Sequence, residues 1–210
     1  MRFLLLVSIL LYFFFSQGQE RFQGYLNLGT SASQISGDDS HGFAQFGIYT
    51  GASIEYKLND PWFLATGLFF NQKGARRYQS IGAVSTYRLR VNYIDVPFLT
   101  GYQFQDFKFT FGPAMNVKIN QRERTEYGET ENPRIFDPLE IAIQGGASYQ
   151  FMNKWTLNLS YQNSILPVRE HSPTYYSSSV NNTLLEEWHQ NLINKGQYFS
   201  LFSLFVSYRL

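Results

Sequence analysis

Residues 87–102 read YRLRVNYIDVPFLTGY, and the rest of the chain is best understood from this stretch. Its first half alternates Arg88, Arg90 and Asn92 with more apolar residues, which is the period-two pattern of a β-strand with two differently solvated faces. From Ile94 onward the same even-numbered positions are apolar. A strand that passes from water into a hydrocarbon layer would show this change, and so would a strand whose phase is reversed by a β-bulge.

The composition is unusual for a soluble protein. Aromatic residues make up 18% of the 210 residues. Charged residues make up 16%, against an ordinary value of about 25%. A formal net charge of +1 gives no sign of the clustered cationic surface that nucleic acid requires, so no nucleic-acid partner is expected. The length fits one domain, and the absence of cysteine fits an exported protein that does without disulfides.

The N-terminus has the pattern of a secretory signal peptide. A basic start is followed by an apolar run over residues 3–15 and by small residues at Ser16 and Gly18, which predicts cleavage before Gln19. The alternative is a membrane anchor, but the run is shorter than the ~20 residues that a spanning helix needs. The expected organisation is therefore a signal peptide over residues 1–18 and one domain over residues 19–210.

Eight segments with alternating apolar and polar residues follow. They are residues 24–32, 46–58, 64–72, 87–102, 107–119, 139–151, 155–163 and 198–210. One face of each segment is apolar, with aromatic residues near the strand ends, as in interfacial girdles: Tyr56, Tyr102, Phe107, Phe151, Trp155 and Tyr208. The other face is small, polar and partly charged.

The connections between these segments alternate strictly in length. Tight turns lie near residues 59–61, 104–106 and 152–154, whereas long polar loops span residues 33–42, 73–86, 120–138 and 165–197. All short turns therefore fall at one end of the sheet and all long loops at the other. A soluble sandwich would show the same alternation along its strands but has no need of this asymmetry. The pattern predicts an all-β protein, an eight-stranded antiparallel up-and-down transmembrane β-barrel with short periplasmic turns and long external loops, in the bacterial outer membrane.

Several motifs resemble those of a known family, in the same order and with similar spacing: GDDSHGFAQFGIYTG, GLFFNQKGARR, YRLRVNYIDVPFLTGY, FTFGPAMNV, YQNSILPVR and GQYFSLFSLFVSYRL. Together they resemble the PorT-like outer-membrane β-barrel proteins of Bacteroidetes, over residues 24–210. The resemblance implies a small barrel, mostly of unassigned function. The family's namesake is an accessory protein of type IX secretion and gliding, a role that the resemblance does not transfer. The chain ends in Leu210 rather than the common terminal aromatic, so Tyr208 or Leu210 must serve as the signal for the barrel-insertion machinery.

An eight-stranded barrel is just wide enough to be filled by its own side chains. Charges of mixed sign on the predicted lumen face favour a structural salt-bridge network over a narrow ion path. The predicted members are Glu55, Lys57, Asp95, Lys108, Lys118, Glu140 and Arg209.

The last long loop carries the segment TLLEEWHQNLI over residues 183–193, whose apolar residues have helical spacing. A short amphipathic helix is expected there, with Trp188 as a candidate anchor for a partner or lipid. Glu186, His189 and His171 offer only a weak pattern for a metal, so neither a metal nor any other cofactor is predicted.

The function predicted from these features is a non-enzymatic structural or binding role, with outer-membrane lipids and a surface ligand or secretion-system partner as candidate partners. The first alternative is a lipid-modifying enzyme of acyltransferase or deacylase type, using His171 with Ser172 or His41 near Asp38 and Asp39. The second is a narrow channel or an accessory protein of type IX secretion.

Residues 87–102 are better explained by passage into the membrane than by a reversal of phase at Asn92. Arg88 and Arg90 would then stand above the hydrocarbon, near outer-leaflet phosphates. Pairing across the turn after Gln103 is expected to bring Pro97 opposite Gly112 and beside Pro113, where two missing N–H donors would weaken the ladder and any bulge would lie.

Overall fold

The computed structural model describes residues 21–36, 43–77, 87–125, 127–130, 135–170 and 196–210. These residues form ten β-strands: β1 Phe22–Ser36, β2 Gln45–Asn59, β3 Trp62–Arg77, β4 Tyr87–Phe104, β5 Phe107–Thr125, β6 Gly128–Glu129, β7 Leu139–Met152, β8 Trp155–Ser164, β9 Arg169–Glu170 and β10 Gly196–Arg209. No helix long and apolar enough to cross a membrane occurs among them.

Eight of the strands close into a barrel. The order is β1-β2-β3-β4-β5-β7-β8-β10, and β10 returns to pair with β1 from Tyr25↔Arg209 to Ser36↔Tyr198. Every pair is antiparallel. The two-residue strands β6 and β9 pair with β5 and β10, respectively, at the end of the barrel that carries the long loops. The predicted eight-stranded up-and-down barrel is confirmed. The start of β1, the end of β10 and the three tight turns lie at one end of the barrel, which is the periplasmic end in such proteins.

The two faces of the barrel wall differ sharply. Outward residues are apolar and exposed, for example Leu28 at 68% and Phe111 at 64%. Inward residues are polar and buried, for example Asn71 and Asn116, both at 0%. A soluble protein rarely exposes apolar residues over so much of its surface, whereas a lipid-facing wall requires it.

Four cross-strand aromatic pairs encircle the outer wall at the periplasmic end. Their ring centroids lie 4.8 to 5.1 Å apart, and each pair joins two neighbouring strands: Phe22–Tyr56, Trp62–Tyr102, Phe107–Tyr149 and Trp155–Tyr208. Tyrosine and tryptophan suit the membrane–water boundary because each has an apolar ring and a polar O–H or N–H group. Five of the six residues predicted for the girdle take part; Phe151 lies exposed nearby.

Three strands run further toward the external end than their sequence predicts. β1 continues to Ser36, β3 to Arg77 and β5 to Thr125, through residues expected to lie in loops.

The predicted signal peptide, the helix with Trp188, the weak metal pattern, and the histidines at 41 and 171 all lie outside the described residues.

β4 keeps one phase along its whole length. Leu89, Val91 and Tyr93 are buried in the lumen, and so are Asp95 and Leu99. The phase reversal considered for this strand therefore does not occur, and its even-numbered residues face outward throughout.

The irregularity lies instead in β5. Asn92 pairs with Asn120 but Tyr93 pairs with Lys118, so Ile119 is an extra residue in β5. This bulge reverses the phase of β5. Even-numbered residues up to Lys118 face the lumen, whereas Arg122 and Arg124, also at even-numbered positions, face outward.

The expected bulge at Pro97 was wrong. Val96↔Met115, Pro97↔Ala114 and Thr100↔Phe111 share one register, so Pro97 faces Ala114 rather than Gly112. The turn lies one residue later than the sequence predicts, because Phe104 pairs with Phe107 and leaves Gln105 and Asp106 as the two turn residues.

Candidate functional site

A buried lysine forms the centre of the lumen. The Nζ atom of Lys73 lies 3.0 and 3.2 Å from the carboxylate oxygens of Glu140 and donates to the Oε1 atom of Gln162 at 2.7 Å. It also lies 3.7 Å from Asp95 and 4.9 Å from the ring centroid of Tyr93. Four strands therefore converge on one ammonium group.

Further hydrogen bonds hold the two carboxylates that face this ammonium group. Asn71 donates to Asp95 at 2.6 Å, and Ser164 donates to Glu140 at 2.7 Å. Lys73, Asp95 and Glu140 are at most 2% exposed. Since an isolated charge is very costly in such a place, the three groups stabilise one another and hold the opposite walls together.

An apolar cap closes the lumen above this polar layer. Phe136, from the connection between β6 and β7, stacks on Phe199 at a centroid distance of 5.5 Å. The guanidinium of Arg169 lies 4.2 Å from the ring centroid of Phe136. The cap consists of the buried residues Ile35, Ala75, Leu89, Val91, Tyr93, Phe136, Val168 and Phe199. Loop residues thus enter the barrel mouth and fill it.

Below the polar layer, three aromatic rings form a second barrier. Tyr49 stacks on Phe69 at 4.9 Å, and Phe205 lies 5.0 Å from Tyr49 and 6.2 Å from Phe69. These residues come from β2, β3 and β10 and occupy the middle of the barrel.

A second ion pair lies nearer the periplasmic end. Lys108 Nζ contacts Glu55 Oε2 at 2.6 Å, and the hydroxyl of Tyr25 donates to the same oxygen at 3.0 Å. Lys108 Nζ also lies 5.3 Å from the ring centroid of Phe63. A cavity of about 70 Å³ separates this cluster from the aromatic layer.

The predicted lumen charges divide between these clusters and the two rims. Glu55 and Lys108 form the lower pair, and Asp95 and Glu140 join the upper cluster. The remaining three take no part in either. Lys57 is exposed at the periplasmic end, Arg209 donates to the carbonyl of Asn153 at 2.6 Å, and Lys118 donates to the carbonyl of Phe136 and, at 3.3 Å, to Gln121. Four of the seven predicted charges therefore lie in two separate ion-pair clusters, and the other three make the contacts just described.

The central residue, Lys73, lies in β3, within residues 73–86 that the sequence predicts as a loop, so it is not among the predicted lumen charges. Asn71, Lys73 and Ala75 continue the inward phase of β3, but the outward residues between them are not apolar, so the sequence shows no alternation there.

Above the hydrocarbon band, five outward-facing arginines form a group that we call the arginine patch: Arg76, Arg88, Arg90, Arg122 and Arg124. Arg88 pairs in register with Arg76 on one side and with Arg124 on the other, and Arg90 pairs with Arg122. The two predicted headgroup contacts, Arg88 and Arg90, thus lie at the centre of a larger cationic surface.

The border between polar and apolar outward residues is level across the three strands of the patch. Gln72, Asn92 and Asn120 pair side by side and are joined by hydrogen bonds of 3.1 and 2.8 Å. Directly below them, the outward positions of all three strands are apolar, starting with Phe70, Ile94 and Val117. The arginine patch therefore begins within one or two residues of the lipid-facing band.

A closed antiparallel barrel with an apolar outer band and a polar lumen defines a transmembrane β-barrel protein. The sequence matches the family model described as outer membrane protein beta-barrel domain over residues 15–168, and the chain belongs to this family. It is a protein of the bacterial outer membrane, as predicted. The finer assignment to PorT-like proteins is not decided by this match.

The solved structures to which this chain is similar share little sequence with it. Ail, the attachment invasion locus protein of Yersinia pestis, solved in complex with the heparin analogue sucrose octasulfate, is 12% identical with a TM-score of 0.49, over 90% of this chain and 99% of Ail. Neisserial surface protein A is 14% identical with a TM-score of 0.44, over 90% and 97%. OprG from Pseudomonas aeruginosa is 8% identical with a TM-score of 0.37, over 90% and 94%. No relative was found among curated protein sequences.

Proposed function

We propose that this chain is a non-conducting, non-enzymatic outer-membrane barrel that acts from its external end as a structural or binding protein. The observation that carries the proposal is the layered packing of the lumen. Along β3 alone, Phe69 belongs to the aromatic layer, Lys73 to the polar layer and Ala75 to the apolar cap. Side chains thus fill the lumen at three successive heights. This is expected of a barrel whose interior is packed with side chains and holds no continuous column of water.

Conductance tests this proposal against the channel alternative. The full chain, refolded into planar lipid bilayers, is expected to give no steady current. The F136A/F199A variant removes the cap but leaves the two layers below it, so it should remain closed as well. Regular single-channel steps from the wild-type protein would contradict the proposal.

The enzymatic alternative depends on His41 and His171, which lie outside the described residues. Its reaction would change the acyl chains of outer-membrane lipid, so mass spectra of lipid A from a deletion strain address it directly. Spectra identical to those of the parent strain are expected. A change in acylation that is reversed by the wild-type gene would contradict the non-enzymatic proposal.

The PorT-like identity and the partners belong to the same proposal. The motif order supports a Bacteroidetes barrel of that type, with the insertion machinery acting on the terminal strand and a surface ligand or secretion-system partner at the loops. Cross-linking at the cell surface followed by purification of the chain tests this, and recovery of a type IX secretion component would support the secretion role.

A further inference from the structure

We infer that the arginine patch is a binding site for the phosphate groups of an outer-leaflet glycolipid. This deepens the proposed function, since it names a ligand class for the external end, and it does not depend on whether the lumen conducts. The patch faces outward from β3, β4 and β5, above the level border formed by Gln72, Asn92 and Asn120. Lipid phosphates occupy this height in the outer leaflet.

The positive charge of the arginine patch favours the binding of an anion. Neighbouring strands are ~4.8 Å apart and alternate residues along one strand are ~7 Å apart, so the guanidinium groups repel one another at close range. A cavity of about 180 Å³ lies among four of them and is completed by Glu123 and Glu129. Glu123 also accepts a hydrogen bond of 2.8 Å from the hydroxyl of Tyr87, on the inner side of the wall. Among the described residues that line this cavity, four cations therefore face two carboxylates.

One N–H donor in the patch lacks an acceptor among the described residues. The Nε atom of Arg90 is buried from water and has no hydrogen-bond partner among the described residues. A guanidinium group binds phosphate through two parallel N–H donors, and such charge-assisted bonds are the strongest class of hydrogen bond in proteins. A phosphate above the border would accept from Arg90 and from Arg122 opposite it.

The bulge in β5 is what assembles this surface. Had β5 kept its phase beyond Lys118, Arg122 and Arg124 would face the lumen. Ile119 shifts the register by one residue and turns both side chains outward, beside Arg90 and Arg88. Within the part of the chain that the structure describes, outward arginines at the external end occur only on these three strands, so the site is on one side of the barrel.

Native mass spectrometry of the full folded chain in detergent tests the inference. The probes are bisphosphorylated lipid A, the same lipid with its phosphates removed, and inorganic pyrophosphate. Wild-type protein should bind the bisphosphorylated form at least ~10-fold more tightly than the dephosphorylated form, because one or more charge-assisted hydrogen bonds are lost with the phosphates. The R90Q/R122Q variant should lose this difference. It should fold normally, since the substitutions remove facing like charges.

The matched control is R21Q/K57Q, which removes two exposed cations at the periplasmic end and should keep the wild-type preference. Equal binding of the two lipids by wild-type protein, or an unchanged preference in R90Q/R122Q, would overturn the inference. Pyrophosphate that binds as tightly as the lipid would also overturn it, because the site would then serve free polyanions. Conductance of the same samples reports on the proposed function separately.

Discussion

Lys73 and Glu140 lie 67 positions apart in the chain and meet inside the barrel, with Nζ 3.0 Å from Oε2. Their strands, β3 and β7, are separated by two other strands around the barrel wall. The contact therefore spans the lumen and ties together walls that no backbone ladder joins directly. Because Asp95 also faces the ammonium group, one cation serves two buried carboxylates.

Replacing Lys73 with methionine should strongly destabilise the barrel. Asp95 and Glu140 would stay buried without a cation, and breaking a buried ion pair in this way typically costs about 3–5 kcal/mol. The measurement is the free energy of unfolding from urea titration of the barrel refolded in phospholipid vesicles, followed by tryptophan fluorescence.

K57M serves as the matched control, because Lys57 is exposed on the same inward phase of the wall. Its effect should stay within about 0.5 kcal/mol. In a D95N/E140Q background, K73M should cost much less, since the charges it would leave unpaired are already gone. Equal stability of K73M and wild type would show that the polar layer does not hold the barrel together.

The eight strands could be predicted because the membrane forces strict alternation: each outward residue within the apolar band meets lipid and each inward one meets the lumen. Lys73 could not be placed in the same way. Beyond Phe70 the outward residues Gln72, Gly74 and Arg76 are no longer apolar. The strand therefore continues, but the alternation of apolar and polar residues that predicts a strand ends at Phe70.

The bulge at Ile119 was invisible for a related reason. Asn116, Lys118, Asn120 and Arg122 continue the even-numbered polar pattern without interruption, although the phase reverses between Lys118 and Asn120. Where both faces are polar, the sequence specifies register only weakly. The patch was therefore predicted only in part, as Arg88 and Arg90, because its other members are brought there by the pairing of strands.

Phe136 should be essential for anchoring the connection between β5 and β7. It is fully buried between Phe199 and Arg169, whereas its neighbour Ile135 is 76% exposed. F136A should lower the free energy of unfolding by about 3–5 kcal/mol and make the described residues 135–138 more accessible to protease. Limited proteolysis of intact vesicles from outside measures this, with I135A as the control. Similar cleavage rates in the two variants would contradict an anchoring role for the ring.

Gly101 should resist any side chain. A Cβ atom there would lie 2.1 Å from Cζ of Phe63, whose ring covers the glycine from the neighbouring strand. G101A should therefore destabilise the barrel by about 1–3 kcal/mol, because the ring must leave its packed position. G145A is the control, since the nearest atom to its Cβ, in Phe111, is 3.7 Å away. The same urea titration applies, and the F63L substitution should reduce the cost of G101A. A cost unaffected by F63L would mean that the backbone, not the ring, opposes the change.

The ladder between β4 and β5 should open most readily beside its two prolines. Pairing runs through Pro97↔Ala114, is interrupted at Phe98 and Leu99, and resumes at Thr100↔Phe111. Neither Pro97 nor Pro113 has an N–H to donate, and a closed barrel has no edge at which a proline could be placed without loss. The amides of Phe98, Leu99 and Gly112 should exchange with deuterium faster than those in the middle of the β1–β2 ladder.

That ladder is the right reference because it pairs without interruption from Phe22↔Tyr56 to Ser33↔Gln45 within the same barrel. Exchange measured by NMR on the refolded chain in micelles compares the two segments under one solvent condition, so detergent access through the wall affects both. P113V should slow exchange at Gly112 if the missing donor causes the opening, because valine supplies an N–H and favours a strand. Equal protection of the two ladders in wild-type protein would mean that the interruption is local geometry without a dynamic consequence, and that the barrel wall is uniformly closed to lipid.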